Sequence, residues 1–115
     1  MEIDNLNNMD KLLGNWISED RIQLHFYTSI YKIVEVDISY LENIFGKRTY
    51  IVKYFPKDNQ IFLISTDGRK PIKIDITVFI TEDILTIENI EFEEKEISVM
   101  DYPIIKVGKY IKKEE

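Results

Sequence analysis

Leu12-Leu13-Gly14-Asn15-Trp16 stands between two periodicities, and the change from one to the other decides the fold. Before it, Leu6, Met9, Leu12 and Leu13 recur at helical spacing behind Asp4 and Asn5, either of which can accept a hydrogen bond from an unpaired first-turn amide. After it, the period falls to two. A glycine two residues ahead of a tryptophan lets the backbone turn sharply while the indole covers the end of a sheet. The reading is a short helix ending at Gly14 that caps one end of a barrel, since a helix of that length is not stable alone in water.

Working outward, Ile72, Ile74, Ile76, Val78 and Ile80 alternate with Lys73, Asp75 and Thr77, the signature of a strand buried on one face. Ile22, Leu24 and Phe26 alternate with Arg21, Gln23 and His25, and Val34, Val36, Ile38 and Tyr40 alternate with Glu35, Asp37 and Ser39. Tyr50, Val52 and Tyr54 repeat the pattern with Thr49 and Lys53. Ile61-Phe62-Leu63-Ile64 is apolar throughout, which predicts a central strand or one that meets a partner. Turn chemistry separates the runs at Ser18-Glu19-Asp20, Thr28-Ser29, Asn43 to Gly46, Pro56 to Asn59, Asp67-Gly68 and Glu82-Asp83. Later strands are expected near 84 to 92, 96 to 100 and 104 to 111. With no helical crossover segment, the expected fold is all-β: an antiparallel up-and-down barrel of about eight strands, closed so that no edge is left exposed.

Composition limits what such a barrel can do. A chain of 115 residues fits one domain, here 1-115, and its 44% hydrophobic content is enough to support a core. The net charge of −6 repels phosphates and anionic membranes, so neither nucleic acid nor membrane is an expected partner. Lys106, Lys109, Lys112 and Lys113 form a local basic stretch that reads as a solvated tail. The chain has no cysteine, which excludes disulfides and thiol chemistry, and the N-terminus lacks the basic start and apolar run of a signal peptide. A cytoplasmic location is expected.

Gly14 and Trp16 behind a short helix, followed by a strand meander, resemble a small bacterial lipocalin-like domain of the calycin group. Thr81-Glu82-Asp83-x-Leu85-Thr86-Ile87 resembles a recurrent late hairpin of that group, and Tyr110 with Lys112 approximates the aromatic and basic residues of its last strand. The resemblance implies the fold and a non-enzymatic binding role. The chain is shorter than secreted lipocalins and lacks their cysteines, a departure that weighs against a roomy calyx.

The residues themselves point to no catalytic site. His25, the single histidine, falls on the polar face of its strand, and no serine lies in a nucleophile-elbow context, so neither a zinc site nor a triad is supported. Glu35 and Asp37 share a strand face, but that face should be wet. No cofactor and no metal are expected. Tyr40, Tyr50 and Tyr54 share faces with inward valines and isoleucines, and inward phenols would suit a small apolar ligand with one polar handle. That reading requires an internal pocket of about 300 Å³ or more. The alternative is an acidic protein-binding module, such as an inhibitor, an immunity-type protein or a phage counter-defence factor. Tyr27, Tyr31, Phe55 and Phe79 fall at outward positions, where aromatics anchor partners and negative charge steers basic ones. The same outward patch could mediate self-association.

Overall fold

Period-two sequence becomes a meander because each hydrophobic row needs a common interior, and eight such rows can share one only by closing. The computed structural model describes residues 10–65, 73–92 and 105–113, with backbone alone over 43–46. The strands are β1 (Gly14–Ser18), β2 (Ile22–Thr28), β3 (Val34–Tyr40), β4 (Asn43–Phe55), β5 (Gln60–Ser65), β6 (Lys73–Thr81), β7 (Ile84–Phe92) and β8 (Gly108–Lys113). Each pairs antiparallel with its neighbours in sequence, and β8 returns to pair with β1, which closes the barrel. The predicted strand at 96 to 100 and the turn at Asp67-Gly68 lie outside the described residues.

Residues 10–12 are helical and lead straight into β1. Leu12 is fully buried, and the Trp16 indole, also fully buried, donates its Nε1–H to the Leu12 carbonyl at 2.8 Å. That bond satisfies both the indole and a carbonyl at the helix end. Gly14 has φ +126°, and a Cβ there would lie 2.9 Å from Cε of Lys112. Glycine is therefore favoured by its backbone conformation, while the Lys112 end would have only to shift aside. Lys112 is not part of a solvated tail: it faces inward on β8, with Nζ 5.5 Å from the centroid of the Trp16 ring. Its amide donates to the Asp83 carbonyl at 2.7 Å, tying the last strand to the β6–β7 turn.

The core follows the alternation closely on β2, β5 and β6, where Ile22, Leu24, Phe26, Ile61, Leu63, Ile74, Ile76 and Val78 are buried. On β7 the pattern is interrupted by Glu88-Asn89. The register shifts there, with Thr77 opposite Asn89 but Val78 opposite Ile87. The extra residue is a bulge that keeps Leu85 and Ile87 in the core and leaves Ile90 and Phe92 packed against it. The turn expected at 43 to 46 is replaced by a two-residue turn at Leu41-Glu42, held by Leu41 N–H to the Arg21 carbonyl at 2.7 Å and by an Arg21–Glu42 ion pair at 2.6 Å. Asn43 is already paired with Tyr40 in β4.

The β4–β5 connection is a single 3₁₀ turn, Pro56–Asp58, ended by Asn59 in the left-handed region at φ 54°. Near the start of β8, the Tyr110 hydroxyl donates to the Lys106 carbonyl at 2.7 Å and accepts from its amide at 3.1 Å, fixing the chain as it enters the strand.

Removing the indole would take away the largest fully buried side chain among the described residues. Trp16→Ala is expected to lower unfolding free energy by about 3–5 kcal/mol in urea denaturation. Stability equal to the wild type would refute the closing role of this side chain.

Candidate functional site

Among the described residues the middle of the barrel is packed mainly with aliphatic side chains, joined by Trp16, Phe26, Tyr50 and Tyr110. The void enclosed by Leu24, Phe26, Ile38, Leu63, Val78 and their neighbours measures about 10 Å³, no more than the room needed by one water, and every wall is apolar. Tyr40, Tyr50 and Tyr54 do not line it. Tyr50 is buried in the core opposite Val36 and Ser65. Tyr54 is half-buried near the capped end, where burial pushes its phenol pKa up. Tyr40, the last residue of β3, pairs with the buried Ile22 and so keeps the inward side of the strand, but it lies at the rim, where 39% of the residue is exposed. Ser39 beside it is buried.

The outer face over β2, β3 and β4 carries a joined polar cluster. His25 pairs across the strands with Asn15 and Asp37, and Asp37 pairs in turn with Thr49. The Tyr27 hydroxyl is 3.2 Å from Glu35 Oε1 and 3.1 Å from Asp37 Oδ1, and Thr49 Oγ1 donates to Asp37 Oδ1 at 2.7 Å. Lys47 Nζ lies 3.7 Å from Asp37 Oδ2, and the His25 ring sits 5.2 Å from that of Tyr27. Two carboxylates facing one phenol favour its neutral form. With burial as the larger cause and Asp37 the next, they push the Tyr27 pKa up to about 12. A phenol so held is neither a base nor a nucleophile near neutral pH. Tyr27 thus belongs to a surface strap across three strands, with its polar atom committed, rather than to a free aromatic patch.

The other outward aromatics are more available. Tyr31 is 78% exposed at the tip of the β2–β3 turn. Ser29 organises that turn: its Oγ accepts from the amides of Tyr31 and Ile33 at 3.3 Å each, and its carbonyl accepts from Lys32 N–H at 2.9 Å. Phe55 is 45% exposed and Phe79 is 40% exposed, on either side of the cross-strand Gln60–Thr77 pair. Between Phe55 and the acidic part of the sheet stands Phe62, which meets Phe55 edge-on at 5.5 Å and carries Lys73 Nζ 4.5 Å above its ring. Phe62 pairs with Asp75, and Asp75 pairs with Glu91.

Here the sheet is left electrostatically and sterically incomplete. Among the described residues, Gln60 Oε1 and Asp75 Oδ1 are the side-chain atoms shielded from solvent without a hydrogen-bond partner. The Asp75 pKa is raised by burial first and by the Glu91 carboxylate second, against a smaller opposing pull from Lys73. An open hollow of about 200 Å³ is bounded by Phe62, Lys73, Asp75, Glu91 and Phe92. Phe62, Gln60 and Asp75 were not singled out from sequence as site residues, although Phe62, an apolar side chain on the polar face, carried the signal. A larger hollow of about 360 Å³ lies between the β1–β2 turn and the start of β8. Its walls carry both charge signs, and its most buried polar atom, the Tyr110 hydroxyl, is satisfied by Lys106.

Among the described residues no group of three or more His, Asp or Glu is placed to hold a metal ion, and no helix is long and apolar enough to cross a membrane. No match is found for the chain among protein-family models, curated proteins or solved structures.

Both outer clusters make predictions in pH. A phenol whose pKa is raised on folding contributes stability that is full below its unfolded value near 10 and is lost as pH rises toward about 12. Tyr27→Phe should therefore flatten the alkaline loss of stability in that window, and the Tyr27 ring carbon should titrate near 12 by NMR; titration near 10 would dismiss the shared-proton geometry. Asp75 has the same sign at the acid end: its contribution is full below the ordinary carboxylate range and is lost as pH rises through its raised folded value. Asp75→Asn should raise the melting temperature at neutral pH, since like charges directly opposite one another cost about 0.2–1 kcal/mol. That gain should vanish on acidification, and a melting temperature lowered at neutral pH would contradict the pairing.

Proposed function

We propose that the protein is a non-enzymatic binding module that engages a protein partner through the outside of its barrel. One observation carries this reading: among the described residues the apolar interior void of about 10 Å³ falls far short of the roughly 300 Å³ at which small-molecule sites begin, while Phe55 and Phe62 meet on the outer face and Phe79 is exposed on the next strand. Binding a small apolar molecule inside would require the aliphatic core to part. Aromatics on a half-polar sheet face have no such obstacle, and they are the residue type that anchors interfaces. The charge of −6 favours a basic partner and speeds its encounter.

The lipocalin-like likeness is retained as a reading of the scaffold. It is supported by the closed meander and by Lys112 over the Trp16 indole, the basic residue of the last strand meeting the tryptophan of the first. An acidic inhibitor, immunity-type or counter-defence role fits the same surface. The absence of cysteine means the barrel closes without disulfides, which agrees with a reducing compartment such as the cytoplasm.

Affinity capture from extract of the native cells, using the full chain and a Phe55→Ser/Phe79→Ser variant, tests the reading. A partner held by the wild type and lost by the double variant, at unchanged melting temperature, is the expected outcome. Capture that is absent, or undiminished in the variant, would count against the outer face. Sedimentation of the purified chain separates self-association from binding another protein: a dimer dispersed by the same substitutions would assign the patch to a second copy.

A further inference from the structure

The face around Phe62 is built from residues that cost the fold something. Phe62 and Ile64 are apolar on the outer side of β5, and no other described element covers them. Asp75 and Glu91 place two carboxylates directly opposite each other across β6 and β7. Asp75 Oδ1 is shielded from water yet receives no donor, and Gln60, whose Nε2–H donates to Thr77 Oγ1 at 3.2 Å, is left with Oε1 shielded in the same way. Buried acceptors without donors are rare in native proteins, and departures from local rules concentrate where a surface is used.

What is missing has a definite chemistry. Two acceptors, one of them anionic, call for a group with several donors, and the aromatic ring beside them calls for a cation. Gln60 and Asp75 are diagonal neighbours in the register, which places their Cα atoms about 7–8 Å apart in an antiparallel pair, with Phe62 opposite Asp75 and Thr77 opposite Gln60 at the other two corners. A planar guanidinium spans such a gap, donating at both edges while its face lies on the ring; an ammonium, a compact point charge, does not. The hollow of about 200 Å³ beside Phe62 and Asp75, with Gln60 outside its lining on the far side of Phe62 along β5, is below the size of a small-molecule site and suits one side chain. Lys73 shows that the ring attracts a cation, because its Nζ already lies 4.5 Å above it; yet among the described residues Lys73 forms no ion pair with Asp75.

We propose that the outer face centred on Phe62, Gln60 and Asp75 receives an arginine side chain of a protein partner, with Lys73 as the residue that covers the ring until the arginine displaces it. The proposal rests on the outer-face reading given above and names the chemistry of the partner. Phe55 extends the aromatic floor, and Glu91 adds negative charge at the rim.

The test uses a short arginine-containing peptide and its citrulline counterpart, titrated into the isotope-labelled full chain and followed by amide and side-chain NMR shifts. The arginine peptide should shift Gln60, Phe62, Asp75 and Thr77, with citrulline binding about tenfold or more weakly, the loss expected when a charge-assisted hydrogen bond is removed. Asp75→Asn should weaken the arginine peptide by a similar factor. Its predicted rise in melting temperature excludes unfolding as the cause. Lys73→Gln should act in the opposite direction, tightening binding about two- to threefold by removing an exposed competing cation.

Equal binding of the two peptides, shifts confined to another face, or indifference to Asp75→Asn would overturn the proposal. These outcomes are independent of partner capture. A partner retained equally by wild type and Asp75→Asn would refute the arginine site while leaving the outer-face reading intact. Arginine-peptide binding with no partner captured would do the reverse.

Discussion

The seam between β1 and β8 is the constraint on which the rest of the barrel depends. β1 has five residues and β8 has six, so few backbone hydrogen bonds are available to hold the sheet shut. Side chains reinforce them at one point. Trp16 on β1 is anchored to the helical turn through the Leu12 carbonyl, and Lys112, its cross-strand partner on β8, lies over the indole. Gly14 makes the entry to β1 possible through its φ of +126°, a conformation that other residues rarely adopt, and it lies against the end of the Lys112 side chain. Helix end, first strand and last strand therefore meet in one cluster. A barrel without that cluster would present two unpaired edges, the form of sheet most prone to pairing with other chains.

Closure has a consequence for function. Eight strands enclose a space about wide enough for their own side chains, and this chain supplies isoleucine, leucine and valine at most inward positions. The interior is spent on stability. The outer face is where side chains alternate between water and neighbouring strands, and where charge and aromatic rings can be combined without opening the core.

Much of this was legible in the sequence, for a physical reason: one-sided burial leaves a period of two, and Ile22 to Phe26 or Ile74 to Val78 reads correctly without knowledge of neighbours. The Gly14–Trp16 spacing likewise marked the capped end, because the requirements on both residues are local. The exposure of Tyr40 was not legible, because it depends on where β3 ends at the rim rather than on the alternation within the strand. The turn placed at 43 to 46 failed because Leu41-Glu42 is held by Arg21 from another hairpin. Lys112 was read as tail because its partner is Trp16, almost the whole chain away. Phe62 announced itself as apolar on a polar face, but its meeting with Asp75 and Gln60 depends on the register between β5 and β6, which no local pattern contains.

Two outer clusters built from similar residues show how energetics separates scaffold from site. Around Tyr27 every polar group has an answer: the phenol shares its proton between Glu35 and Asp37, Thr49 donates to Asp37, and Lys47 balances the charge. A satisfied network stiffens three strands and asks nothing of a partner. Around Asp75 the same materials are left open, with a carboxylate facing another carboxylate, a shielded oxygen without a donor and an aromatic floor of Phe62 and Phe55 with Lys73 above it. Selection for stability alone would close such a gap with one substitution at Asp75. Left open beside Phe55, Phe62 and Phe79 on β4, β5 and β6, the gap is the feature on which the proposed contact with a partner rests, and its cost in stability is what that proposal accounts for.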